Sequence, residues 1–424
     1  MYILGISALY HDAAAALIQD GEIIAAAQEE RFTRKKHDMS IPYHAIQYCM
    51  EQAKIKASDL ECVVYYDDPY KTLDRFAKNV LALGDKSEAL ISRTFSSMYS
   101  RKLWVHKEIE RAVGGLGKRG KLLVTEHHIS HASSAFYPSP FEEAVILTID
   151  GVGEWATTTI GIGCGNELSL KEQISYPHSI GLLYSAFTYF CGFKVNSGDY
   201  KFMGLAPYGK PTYYNVIKEK MIDIKPDGSY RLNLEYFDYQ NGGTMICEEK
   251  FAELFDGGRR MPESDITRRE MDIAASVQQL VEEIIILMAQ HAKERYGLNT
   301  NNLVLAGGVA LNCVANGKLL KAGVFDNIWI QPAAGDAGGA LGSALYTYYK
   351  LYHNERIVKE SDSQKGSYLG PAYATDFIRE YLDQHGYTYH DVKDSDLFYE
   401  KVAHELALGK VVGVFQRVTP PPRK

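Results

Sequence analysis

Short apolar runs separated by turn residues open the chain. Between Ile3 and Gln28 the order is ILGIS, a small-residue turn through ALYHD, AAAALI, an Asp20-Gly21 break and EIIAAAQ. Runs of this length with a two-residue Asp-Gly turn predict a three-stranded meander. The segment from Ile146 repeats the layout: ILTID stands for ILGIS, GVGE for ALYH and ATTTIG for AAAALI, and ELSLKEQI follows a Gly-Asn turn.

Further along the pattern turns helical. Arg269 to Tyr296 places Ile273, Val277, Leu280, Val281, Ile284, Ile285 and Met288 at helical spacing, the stripe of a core-facing helix. LVLAGGVALNCVANGKLL then reads as a strand from Leu303 to Ala306, a Gly307-Gly308 turn and a helix. NIWIQP followed by AAGDAGGALGSALYTYYK reads as a second unit of the same kind. Strand, glycine turn, helix is the arrangement that presents backbone N–H groups to an anion. Together these elements predict an α/β protein with a duplicated actin-like fold of the sugar kinase and Hsp70 type, its mixed sheets flanked by helices. The two hairpin turns are expected to face each other across a nucleotide cleft.

The expected organisation is a first actin-like half over residues 1–142 and a second over residues 143–355, with an insertion or cap near 211–262 where the sequence is aromatic, polar and weakly periodic. Over residues 356–424, KESDSQKGSYLGP reads as a linker, followed by a helix from Ala374 to Gly386 and a strand-helix stretch ending at LALGKVVGVFQ. The final RVTPPPRK is not expected in a packed element, because consecutive prolines donate no backbone hydrogen bonds.

Composition narrows the function. The 424 residues are 46% apolar and 23% charged, an ordinary globular balance. A formal charge of −7 gives no global basic footprint, so no nucleic-acid partner is expected and small anions must be caught by local residues. Six cysteines, Cys49, Cys62, Cys164, Cys191, Cys247 and Cys313, are scattered without a CxxC pair, which argues against a thiolate zinc site and a disulfide framework. Reduced, mostly buried thiols are expected. Met1 leads straight into a short apolar strand without a basic leader or long apolar run, so a soluble cytoplasmic protein without membrane contact is the expectation.

His127 and His131 in EHHISHA are four residues apart, which puts both imidazoles on one helix face. Such a pair is commonly just hydrogen-bonded, but Asp150 ends an apolar strand at the second hairpin turn and Asp336 sits in the glycine-rich GDAGG loop. Two His with two Asp suit a borderline divalent metal such as iron(II), manganese or zinc, able to bridge to phosphate oxygens. His128 projects elsewhere and reads as structural. For a nucleotide polyanion the candidates are Gly151 and Gly153 in DGVGE, Lys201 and Gly204 in SGDYKFMGLAPYGKP, Gly307 and Gly308, and Asn312, which could read the ribose or base edge. No GxxxxGK[ST] loop occurs, so a P-loop enzyme is not expected. In QEERFTRKKHD, Arg31 or Lys36 could hold a small phosphate, with His11 beside Asp12 at the first turn donating to a phosphate or carbamoyl oxygen.

GISALYHDAAAALIQDGEIIAAAQEERFTRKKHD, EHHISHASSAFYPSPFEEAVILTIDGVGE, GDYKFMGLAPYGKP, LAGGVALNCVANGKL and PAAGDAGGALGSAL, in this order, resemble the successive motifs of the NodU/CmcH family of O-carbamoyltransferases. The N-terminal part is similar to the threonylcarbamoyl-transfer subunit of tRNA modification. The resemblance implies that carbamoyl phosphate and ATP give a carbamoyl-adenylate, whose carbamoyl group passes to a small-molecule hydroxyl acceptor. It implies His127, His131, Asp150 and Asp336 as metal ligands, iron(II) being favoured, His11 and Lys36 near the carbamoyl phosphate, and Gly307 and Gly308 in the nucleotide loop. Family members continue past a segment like KVVGVFQ into a YrdC-like domain that carries the transfer step. Here that point reads QRVTPPPRK, so residues 356–424 are expected to be a linker and the truncated start of such a domain. The alternatives are an ATPase or sugar kinase of the same fold, or a non-catalytic nucleotide-binding remnant. The acceptor and the oligomeric state stay open, a homodimer among the options.

Overall fold

The computed structural model describes the whole chain except residues 93, 95–100, 118–119, 298, 361–362, 392–394 and 415–424. The expected meander is β1 (Tyr2–Ser7), β2 (Ala14–Gln19) and β3 (Glu22–Gln28), paired antiparallel. Asp20 and Gly21 between β2 and β3 take φ of 50° and 83°, the left-handed pair that a tight hairpin turn requires. Next come α1 (Tyr43–Ala53), β4 (Leu60–Tyr65), α2 (Pro69–Leu83), α3 (Val105–Val113), β5 (Lys121–Val124) and α4 (His127–Phe136). β4 and β5 extend the sheet in parallel, giving the order β3-β2-β1-β4-β5.

The second sheet repeats the first. β6 (Glu143–Ile149), β7 (Ala156–Cys164) and β8 (Glu167–Ser175) form an antiparallel meander. After α5 (Ile180–Phe190), α6 (Asp199–Leu205), the short hairpin β9 (Ile222–Ile224) with β10 (Tyr230–Leu232), and α7 (Arg268–Tyr296), the parallel strands β11 (Asn302–Ala306) and β12 (Asn327–Ile330) join it. Their order, β12-β11-β6-β7-β8, is the order of the first sheet read from the other edge. α8 (Cys313–Ala322) and α9 (Asp336–Tyr346) follow β11 and β12. Two sheets with the same strand order and the same antiparallel-then-parallel pairing make this the duplicated, actin-like α/β fold expected from the repeat.

Three apolar cores explain why the central strands are buried on both faces. Leu4 and Ile6 of β1 pack outward with Ile46 and Cys49 of α1 and Ile109 of α3. Ile3 on the opposite face meets a middle layer made of α4 and α9, which Ile146 and Val304 cover from the second sheet. Val145 and Leu147 of β6 turn to the other outer core, where they meet Leu183 and Phe187 of α5 and the stripe Ile273, Val277, Leu280 and Ile284 of α7. Residues 211–262 fold as short pieces that give Ile217, Tyr230, Phe251 and Phe255 to this same core.

The middle layer is unusually tight. A Cβ on Gly342 of α9 would stand 1.8 Å from the Ser130 carbonyl oxygen of α4, so only glycine permits this approach of the two helices.

Met1–Gly370 forms one compact unit and Pro371–Lys424 another. The latter holds α10 (Thr375–Gln384) and α11 (Ser395–Ala407), with Tyr373, Phe377 and Tyr381 exposed. No strand is formed over 411–414, and the expected proline break from Pro420 to Pro422 lies outside the described residues. Cys49, Cys62 and Cys191 are buried free thiols, Cys247 is half-buried and free, and Cys164 and Cys313 are free and exposed. Among the described residues, no helix is long and apolar enough to cross a membrane.

Candidate functional site

His127 and His131 project from α4, in the middle layer, and the helix brings their Nε2 atoms within 3.0 Å of each other. The strand end of β6 delivers Asp150, whose Oδ2 lies 3.1 Å from His127 Nε2 and 3.8 Å from His131 Nε2. Asp336, the first residue of α9, places Oδ1 3.6 Å from His127 Nε2 and 3.8 Å from His131 Nε2. One ligand atom from each of the four residues lies within 4.8 Å of all the others, and all four side chains are buried. The helical histidine spacing and the two loop aspartates of the sequence therefore converge on one point.

The chemistry of this donor set fits a divalent cation. Asp336 is fully buried, yet among the described residues its Oδ1 has no hydrogen-bond partner, and neither has His131 Nδ1. A buried carboxylate oxygen without a partner is costly, and two imidazole nitrogens at 3.0 Å can share only a proton or a cation. Two nitrogens and two carboxylates are ligands for borderline metals. Asp336 is oriented from outside, its Oδ2 accepting from the Tyr66 hydroxyl at 2.9 Å, and Asp150 Oδ1 accepts from the Gly308 N–H at 2.8 Å. Burial pulls His127 down, but the Asp336 and Asp150 carboxylates raise it to about 10. Asp150 is held well below the carboxylate range, against its burial, by the same two imidazoles. His128 turns away, its Nδ1 2.6 Å from the Thr148 hydroxyl, the structural position expected of it.

His11 borders this cluster. Its Nε2 lies 3.9 Å from Asp336 Oδ2, and its Nδ1 is 2.9 Å from Asp12 Oδ2. Asp12 also accepts from His37 Nδ1, at 2.7 Å. Although burial opposes it, the Asp336 and Asp12 carboxylates raise His11 to about 9. Lys36 is exposed, with its ammonium 4.9 Å from the Tyr200 ring centre on α6, so a residue of the first half reaches across to the second.

The nucleotide candidates fall on the second half. Gly307 has φ 92°, and a Cβ there would lie 2.3 Å from the Ile149 carbonyl oxygen, so only glycine allows this turn beside Asp150. Gly151 and Gly153 lie in the β6–β7 turn that follows the same aspartate. Lys201 and Gly204 are exposed on α6. Asn312 is buried and committed locally: it caps α8 by accepting from Ala315 N–H at 3.0 Å and exchanges two hydrogen bonds with Gln278 of α7.

Residue-type reasoning missed a second ring. Tyr66 and Asp67 follow β4, and Glu154 ends the DGVGE turn. Asp67 pairs with Lys102. Burial and the neighbouring Asp67 carboxylate raise Glu154, whereas Asp67, against its burial, is lowered by Lys102 and His127. The signal available was topological: in a sheet of parallel neighbours, residues just past the strand ends line the crevice.

The chain has recognisable relatives among known proteins. The family model described as carbamoyltransferase N-terminus matches residues 2–345. The chain is 51% identical to the uncharacterized protein sll1178 of Synechocystis sp., over 98% of this chain and 68% of that protein. It is 34% identical to the nodulation protein NolNO of Sinorhizobium fredii, over 96% of this chain and 56% of that protein, so it spans little more than half of that relative. The solved structure of HypF from T. kodakarensis is similar at a TM-score of 0.43 and 13% identity, over 86% of this chain and 49% of that one.

Proposed function

Because the chain belongs to the carbamoyltransferase family through its N-terminal region, we propose that the unit Met1–Gly370 is the ATP-dependent activating half of an O-carbamoyltransferase. Carbamoyl phosphate loses phosphate to water, leaving carbamate. A carbamate oxygen attacks the α-phosphorus of ATP, and pyrophosphate leaves as carbamoyl-adenylate forms. The oxygen of a small-molecule hydroxyl then takes the carbamoyl group and releases AMP.

The observation that carries this reading is the buried convergence of His127, His131, Asp150 and Asp336 between the two repeated turns. In the proposal these four hold a divalent ion, iron(II) first and manganese or zinc next. When bound, that ion neutralises phosphate charge as a Lewis acid. Around it the chain supplies the rest. His11 is oriented by Asp12 through Nδ1 and presents Nε2 to an oxygen of the carbamoyl phosphate. Lys36 brings a positive charge to the same substrate. Gly151, Gly153, Gly307 and Gly308 keep the turns beside Asp150 free of side chains, so that a polyanion can come close, while the N–H groups of Gly153, Gly307 and Gly308 serve Ala156 O, Ala334 O and Asp150 Oδ1; Lys201 and Gly204 complete the nucleotide set. Asn312, engaged with Gln278, acts by keeping the loop after β11 in place.

Purified protein incubated with carbamoyl phosphate, ATP and a divalent metal is expected to release pyrophosphate and phosphate in equal amounts. His131→Ala is expected to lower the rate at least about a hundredfold, the scale on which loss of a phosphate-clamping group acts. A kinase or simple ATPase of this fold would instead give phosphate or a phosphosugar without pyrophosphate and would tolerate the histidine change, and that result would overturn the proposal. Nucleotide binding without any turnover would leave a non-catalytic remnant.

A further inference from the structure

α4 carries both histidines of the candidate metal centre, yet its own cap residue, Glu126, makes no side-chain hydrogen bond to the helix. The acceptor comes from the other half of the molecule. Glu154, only 4% exposed in the β6–β7 turn, accepts from the His127 N–H at 2.8 Å through Oε1. The same oxygen accepts from Asp68 N–H, at 2.8 Å, just before α2. One carboxylate oxygen thus gathers two helix starts of the first half onto a turn of the second. The fit is close: a Cβ on neighbouring Gly153 would sit 2.9 Å from His127 Cβ.

The N–H groups of a first helical turn have no partner within the helix, so whatever accepts from them fixes the position and rotation of that turn. Here that turn is the one from which His127 projects, with His131 one turn further on. We propose that Glu154 is the positioning residue of the metal centre, holding the His127 end of α4 so that both imidazoles point at the Asp150 and Asp336 carboxylates. The inference rests on the metal reading proposed above and extends it to a residue that touches no substrate.

The test is a titration of the full-length protein with Co(II), read by calorimetry and by the visible absorption of the bound ion. Each variant's thermal melt confirms that it is folded at the assay temperature. Glu154→Ala is expected to weaken Co(II) binding about 10- to 100-fold, the usual cost of losing a group that orients a ligand. Glu154→Asp, which draws the oxygen back by one methylene, is expected to weaken it as well. Glu154→Gln keeps an amide oxygen for both N–H groups and should restore binding to within a few-fold of the wild type, with the same absorption spectrum. His131→Ala is the control and should abolish the signal. If His131→Ala fails and Glu154→Ala binds like the wild type, the metal reading stands and this inference falls. If Glu154→Gln is as weak as Glu154→Ala, acceptance of the two N–H groups is not what matters and the inference falls too. If the His131→Ala titration matches the wild type, the metal reading itself is lost, and this inference goes with it.

Discussion

Glu270 shows how a single side chain begins the longest helix. It stands at the third position of α7, almost fully buried, and its Oε2 accepts from the Thr267 N–H at 2.9 Å and from the Thr267 hydroxyl at 2.6 Å. This closes a capping box, the end signal that a long apolar stripe needs. Burial alone would raise the Glu270 carboxyl, but the hydrogen bonds from Thr267 and Arg269 outweigh it and lower it. A carboxylate lowered in the folded state stabilises the protein above its unfolded value of about 4.3, and the contribution is lost as pH falls through the folded value. Glu270→Gln is therefore expected to cost about 1 kcal/mol at pH 7, with the gap to wild type narrower at about pH 3 than at pH 7. Urea unfolding of both proteins at the two pH values checks it. At this scale the sequence was informative where one residue type has one use: His127 and His131 had to share a helix face, and Asp20-Gly21 had to turn. The hydrogen bonds between Asn312 and Gln278 of α7 were not legible, because no local pattern brings the two together.

At the scale of elements, α4 is held at both ends by residues far away in sequence. Its first N–H goes to Glu154, and its last carbonyl, with two just past its end, goes to Arg356: Nη2 donates to Phe136 O and Ser139 O at 2.9 Å each, and Nε donates to Tyr137 O at 3.2 Å. The Arg356 side chain also lies over the Phe136 ring, at 4.3 Å, and the residue is buried. Arg356→Ala takes the buried donor from the Tyr137 and Ser139 carbonyls, while Phe136 O keeps the Ser139 N–H and hydroxyl. It is expected to lower unfolding free energy by about 3 kcal/mol, measured by denaturant titration, whereas Arg356→Lys should recover only part of this, since an ammonium cannot reproduce the planar fork. The elements themselves were largely legible. The period of Ile273 to Met288 placed α7 to within a residue, and the repeated hairpins gave both meanders. What stayed hidden was the second ring of Tyr66, Asp67 and Glu154. These residues meet only because β4 lies parallel beside β1 and the β6–β7 turn reaches over to α2, facts of register that a one-dimensional pattern does not carry.

The molecule as a whole divides less simply than its duplicated sequence. The repeat suggests two matching halves, and the two sheets do match. Their helices do not stay apart: α4 follows the first sheet and α9 the second, yet both lie in one core roofed by Ile3 and Ile18 on one side and by Ile146 and Val304 on the other. Neither sheet can cover its inner face without the helix that the other contributes. Composition could not disclose this, because a run of small residues does not say what packs against it; the approaches at Gly342 to Ser130 O and at Gly5 to Ala340 O, 1.8 Å each for an added Cβ, show it.

That shared layer has a consequence for how the protein comes apart. An enzyme whose halves were merely hinged would lose them one after the other on heating. Here, melting either sheet strips cover from the same helices, so scanning calorimetry of the Met1–Gly370 unit is expected to give one endotherm whose calorimetric and van't Hoff enthalpies agree. Two resolved endotherms would show that the halves are thermodynamically separate. The same coupling sets a limit on tinkering: a circular permutant cut between β5 and β6 would keep every strand but would have to rebuild the interleaved helices before either half gained stability, and its refolding should slow accordingly.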